Sequence, residues 1–254
     1  MTLFYFTTTG NSLEVAKYLG GRLFSIPSVL NSDSLSFDDN ESIGIIFPCH
    51  FASIPMPVRL FLRKAILKTP YLFAVVTYGE NCADICKICD EFGQKWGKHF
   101  HLITSIRMLD NYVVYWDMDA QRKNLPQKKV PQQLACLAEQ IAQRKSDIRP
   151  TGWLAFLVVF FMRLAPEFAC SPHRRHRIEA EKCTGCGVCM QVCPMGNISI
   201  CNGLPAIQTL CIECGACTHH CPQNAIRWKG ERSKARYRNS SVSLSEIIHS
   251  SRRF

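Results

Sequence analysis

Leu3-Phe4-Tyr5-Phe6-Thr7-Thr8-Thr9-Gly10-Asn11-Ser12-Leu13-Glu14-Val15-Ala16 opens on an apolar run and changes its period across one hydroxyl-rich loop. Leu3 to Phe6 suits a strand buried on both faces, and Leu13, Ala16 and Leu19 then recur at helix spacing. The same alternation follows downstream. Ile43 to Phe47 reads as a buried strand, and Val58, Phe61, Leu62, Ala65 and Ile66 mark an amphipathic helix. Tyr71 to Thr77 and His101 to Met108 read as further strands, Cys82 to Trp96 as a helix, and Leu134, Leu137, Ala138 and Ile141 as a closing helix. Strands alternating with helices of this length predict an α/β fold, a doubly wound parallel sheet over residues 1–150.

After Pro150 the pattern breaks. Trp153 to Met162 is apolar all round, which predicts a linker helix over 151–172 buried between domains, with membrane-surface contact through 153–168 as the alternative. Its length is far below the ~20 residues that span a bilayer, so no transmembrane segment is expected. Residues 173–230 are short-patterned and rich in cysteine, and 231–254 form a basic tail. The fold expected for 173–230 is a small α+β domain.

The chain has 254 residues and 15 cysteines, with 47% hydrophobic and 20% charged residues, a composition that excludes long disorder. Met1-Thr2-Leu3-Phe4-Tyr5-Phe6 has no basic segment ahead of its apolar residues, so it does not read as an export signal. A cytoplasmic, reducing location is expected, where thiolates stay available for metal. The net charge of +10 is uneven: residues 1–150 hold 17 Lys/Arg against 14 Asp/Glu, and 151–254 hold 13 against 6. The basic residues concentrate in His173-Arg174-Arg175-His176-Arg177 and in Lys229, Arg232, Lys234, Arg236 and Arg238. They either balance anionic clusters on a solvated surface or meet an acidic redox partner protein. No nucleic-acid motif accompanies them, so nucleic acid is not expected as a partner.

Two runs share one spacing: Cys183-x-x-Cys186-x-x-Cys189-x-x-x-Cys193-Pro194 and Cys211-x-x-Cys214-x-x-Cys217-x-x-x-Cys221-Pro222. Thiolates at such short intervals can wrap one corner of an iron-sulfur cube, and the proline turns the chain away after the fourth. Paired zinc sites are the alternative, but four ligands per ion do not account for the third Cys-x-x-Cys step. The runs resemble those of bacterial two-cluster ferredoxins. That resemblance implies two 4Fe-4S clusters with crossed ligation, one on Cys183, Cys186, Cys189 and Cys221, the other on Cys211, Cys214, Cys217 and Cys193. Cys82, Cys86 and Cys89 lie at i, i+4, i+7 with Phe92 and Trp96, which is the pattern of a buried helix face rather than a site.

Thr7, Thr8, Thr9, Gly10, Asn11 and Ser12 end at a helix N-terminus and offer hydroxyls and backbone N-H groups to a phosphate. No lysine is present, which suits a monophosphate rather than ATP, and a plain N-cap turn is the alternative. The loop resembles the phosphate loop of flavodoxins, and the chain as a whole resembles a fusion of flavodoxin with two-cluster ferredoxin. This implies strand order 2-1-3-4-5 and an FMN at the switch point. By the same resemblance Pro48, His50 and Phe51 flank the flavin ring, with His50 in place of the family's Tyr, and Thr77, Tyr78 and Gly79 reach its edge. Glu80 departs from the small residue expected there and places a negative charge near the flavin. The function implied is electron transfer through two clusters, exchanging with FMN. A flavin-dependent iron-sulfur reductase with a small-molecule substrate, and a flavin-free docking module, are the alternatives.

Overall fold

The computed structural model describes residues 1–82, 84–148 and 176–251. The linker helix over 151–172, the contact through 153–168 and Arg174 and Arg175 lie outside the described residues. No helix among the described residues is long and apolar enough to cross a membrane.

Strand β1 (Thr2–Tyr5) is buried along its whole length and leads through the Thr7–Ser12 loop into α1 (Asn11–Leu19). Gly10 makes that turn at φ 105°, a conformation that a side chain at this position would strain. β2 (Arg22–Ser25), a short α2 (Ile26–Val29), β3 (Ser36–Asp38) and β4 (Ile43–Pro48) follow. α3 (Met56–Lys64) starts with proline in its first turn, where the missing N-H costs no helical bond. Then come β5 (Ile66–Lys68), β6 (Leu72–Tyr78), α4 (Ile85–Lys95), β7 (Leu102–Arg107), α5 (Met118–Asn124), α6 (Val130–Ala142) and β8 (Asp147–Ile148).

The main sheet has six parallel strands in the order β2-β1-β4-β6-β7-β8. Numbered among themselves these run 2-1-3-4-5-6, so the expected order is present with a two-residue strand added at the edge. β3 and β5 pair separately, and Ile66, expected on the face of the α3 helix, lies exposed in β5. α3 stops at Lys64 because Ala65 is already extended, with ψ 142°.

One face of the sheet is covered by Phe4, Phe47, Phe61, Leu62, Ile85 and the buried thiols Cys86 and Cys89. The other face, with Leu3, Ile46, Phe73 and Val75, packs on α1 and α6 through Leu13, Leu134 and Leu137. That second core continues into the C-terminal half through Val192, Ala216, Val242 and Ile247.

The cysteine-rich part repeats one unit. β9 (His176–Ile178) pairs antiparallel with β12 (Ile226–Trp228), and β10 (Ile198–Cys201) with β11 (Leu204–Ile207). Short helices α7 (Val188–Gln191) and α8 (Ala216–His220) carry the third cysteine of each run. The basic segment 231–254 packs back on the rest of the chain over its described residues. Tyr237, Val242 and Ile247 are buried, and α9 (Leu244–Ser251) packs on the sheet domain. Tyr5 Oη lies 3.0 Å from Ser250 Oγ, Lys17 Nζ pairs with Glu246 at 2.7 Å, and Ser251 Oγ donates to Val192 O at 3.1 Å.

Candidate functional site

The loop between β1 and α1 is almost wholly buried. Gly10 N donates to Thr7 Oγ1 at 3.1 Å, Ser12 Oγ meets Thr77 Oγ1 at 2.8 Å, and Asn111 Nδ2 donates to Thr9 Oγ1 at 2.6 Å. No side chain caps α1, so its hydroxyls are not used as an N-cap. Thr7, Thr8, Thr9, Asn11 and Ser12 line a cavity of about 270 Å³, together with Pro48, His50, Phe51, Thr77, Tyr78 and Gly79. Gly10 turns away from it, toward Asn239 and Val242.

The remaining walls come from the ends of the strands. After β4 the chain doubles back, with His50 and Ser53 exchanging backbone hydrogen bonds at 3.0 and 2.8 Å and Phe51 and Ala52 at positive φ between them. Burial lowers the His50 pKa to about 4, so the ring is neutral at pH 7. Phe51 stands edge-on to Tyr112, ring centroids 5.4 Å apart. After β6, Gly79 packs so tightly on Asp110 that an added Cβ would lie 2.2 Å from it.

Glu80 is not the bare charge its position suggests. Its carboxylate pairs with Lys128 at 2.9 Å and with Arg107, and accepts from Gln121 at 2.9 Å. Burial acts to raise its pKa, but the bonds from Lys128, Gln121 and Arg107 prevail and hold it at about 2. Asp110, in the cavity wall, differs. Burial raises it above the ordinary carboxylate range, although Tyr112 and Glu80 backbone N-H groups donate to it at 3.1 Å each.

The same cavity is closed by the C-terminal half, through Glu213, Cys214, Thr218, His219 and Trp228. Sequence patterning gave no signal for these contributions. Asp110 to Trp116 could have been found, since a loop at the C-terminal end of a parallel strand is where open α/β sheets bind ligands.

Two smaller cavities lie within the cysteine-rich part. Cys183, Cys186, Cys189 and Cys221 line one, and Cys193, Cys211, Cys214 and Cys217 the other. Among the described residues no three His, Cys, Asp or Glu side chains converge as they would on a single metal ion. Burial and then the neighbouring thiols raise the Cys189 pKa to about 11 and push Cys217 up as well. Four thiols lining one small, largely apolar cavity require a cationic centre to be held as thiolates.

The 4Fe-4S binding domain family matches the chain at residues 176–199 and again at 206–227. Residues 176–227 are an iron-sulfur, ferredoxin-like part. This part binds 4Fe-4S and serves electron transfer. No curated protein matches the chain.

Proposed function

We propose that the chain moves electrons between an FMN held in the large cavity and two 4Fe-4S clusters, serving as a carrier between protein partners in the cytoplasm. One observation carries this reading: Cys214 lines both the large cavity and the thiol cavity of Cys193, Cys211 and Cys217. A cluster ligated there abuts the flavin site. The other group, with Cys221 joining Cys183, Cys186 and Cys189, shares no lining residue with the large cavity among the described residues, which assigns it the farther place on the proposed path. The crossed membership of Cys193 and Cys221 agrees with two-cluster ferredoxin ligation.

The large cavity fits FMN by the chemistry of its walls. Buried hydroxyls and the N-terminus of α1 suit a phosphate dianion, and among the described residues no lysine or arginine lines the cavity to hold a longer polyphosphate. Phe51 and Tyr112 offer aromatic surface to a flat ring. Bound flavin supplies the conversion between one-electron and two-electron transfer. The excess of Lys and Arg in the C-terminal half favours an acidic redox partner.

A second reading, a flavin-dependent iron-sulfur reductase acting on a small molecule, is favoured by Asp110, a half-buried carboxyl in the cavity with a raised pKa. Turnover of a substrate with only a chemical reductant present would establish it. For the carrier reading, anaerobic purification should give ~8 iron and ~8 sulfide per chain with one FMN. Zinc in place of iron, or iron at half that level, would overturn the two-cluster assignment.

A further inference from the structure

The phosphate loop is held from outside by residues more than 200 positions away. His220 Nε2 bonds Thr8 O at 2.9 Å. A carbonyl only accepts, so this nitrogen carries the proton and His220 is the Nε2-H tautomer. Asn239 N donates to Thr9 O at 2.8 Å, and Tyr237 Oη donates to Asn11 Oδ1 at 2.7 Å. His219 also contributes, at one remove. Its Nδ1 accepts from Tyr237 N at 3.1 Å, so Nε2-H donates to Asn111 O at 2.8 Å, and Asn111 in turn bonds the Thr9 hydroxyl.

Within a trans peptide the C=O and N-H point opposite ways. Drawing Thr8 O toward His220 therefore turns the Thr9 N-H away from the iron-sulfur part. Drawing Thr9 O toward Asn239 turns the Gly10 N-H inward, where it meets Thr7 Oγ1. Val242 and Asn239 then close against Gly10, leaving no room there for a side chain.

We infer that His220 and Tyr237 are positioning residues for the phosphate-binding loop, so that the iron-sulfur half completes the flavin phosphate site. This rests on the FMN reading above. Its consequence is a dependence between cofactors. His220 directly precedes Cys221, so assembly of the site around Cys183, Cys186, Cys189 and Cys221 also fixes the residue that orients Thr8. Flavin retention then follows cluster assembly.

The test compares FMN with riboflavin, which lacks the phosphate, by quenching of flavin fluorescence in full-length, cluster-loaded protein. His220→Leu keeps the bulk and loses the donor. It should weaken FMN about tenfold, the loss of one ordinary hydrogen bond, and leave riboflavin within about twofold. His220→Gln, which can donate again, should recover most of the difference. Tyr237→Phe, away from the cysteines, should shift FMN the same way by about threefold; it decides the question should His220→Leu lose iron. Equal weakening of FMN and riboflavin, or no change in either, would overturn the inference. Wild-type protein that prefers neither ligand would instead remove the phosphate reading on which it stands.

Discussion

Cys221 and Cys193 show how a single side chain distinguishes ligation schemes. Each sits in the cavity of the other run rather than with its sequence neighbours. Cys221→Ala is therefore expected to damage the cluster of Cys183, Cys186 and Cys189 and largely spare the other. Iron analysis with low-temperature EPR of the reduced protein checks this, and loss confined to the cluster of Cys211, Cys214 and Cys217 would contradict it. Thr9 and Ser12 are more entangled than their motif suggested, because each hydroxyl also bonds the protein, to Asn111 and to Thr77. Replacing both with Val should still weaken FMN by at least about two decades, since hydrogen bonds to a charged group contribute ~1.5 to 3 kcal/mol each. The lost internal bonds add a stability cost of roughly 1 kcal/mol apiece, measurable by urea denaturation.

At the scale of elements, the legible strands were those buried on both faces. β4 and β6 read as near-continuous apolar runs because helices cover them on each side, and β7 was legible from Leu102, Ile103 and Ile106. β2 escaped notice because it begins at exposed Arg22 and is only half-buried, and β8 because two residues carry no period. The loops after the strands were legible where a motif or a family resemblance marked them, at Thr7–Ser12, Pro48–Phe51 and Thr77–Gly79, but the ion pair that shapes the last of these was not. Glu80, Lys128, Gln121 and Arg107 join the end of β6 to that of β7 and to α5, and the Lys128 side chain is 3% exposed. Lys128→Met should cost ~1.5 to 3 kcal/mol, because it removes a charged hydrogen bond and leaves Arg107 and Gln121 to hold the partly buried Glu80 carboxylate. The pH dependence has a definite sign. Glu80 is depressed from 4.5 to about 2 on folding, so its contribution is present above the unfolded value and is lost as pH falls toward 2. The stability gap between wild type and Glu80→Gln should narrow across that window; a gap that widened would contradict the ion-pair assignment.

At the scale of the whole molecule, composition and period suggested two domains joined by a linker, and the cysteine spacing was plain. How the halves meet was not. His220 bonds Thr8 O across 212 positions and His219 bonds Asn111 O across 108, and no local pattern encodes such docking. The shared core makes the point testable. Ile247 is fully buried and belongs to one cluster with Leu3 and Leu13 of the sheet domain and with Val192 and Ala216 of the iron-sulfur part. Ile247→Ala removes methyl groups where three segments meet, and a core truncation of this kind costs ~2 to 5 kcal/mol. If the halves fold as one unit, the cluster absorbance and the far-ultraviolet circular dichroism should fall together in denaturant, and the variant should move both midpoints equally. If they fold as separate domains, the two signals part, and Ile247→Ala shifts the circular dichroism while the cluster transition stays in place. The continuity of the core from Leu3 to Ala216 favours the first outcome, since one cluster of buried side chains spans the sheet domain and the part that holds the thiols.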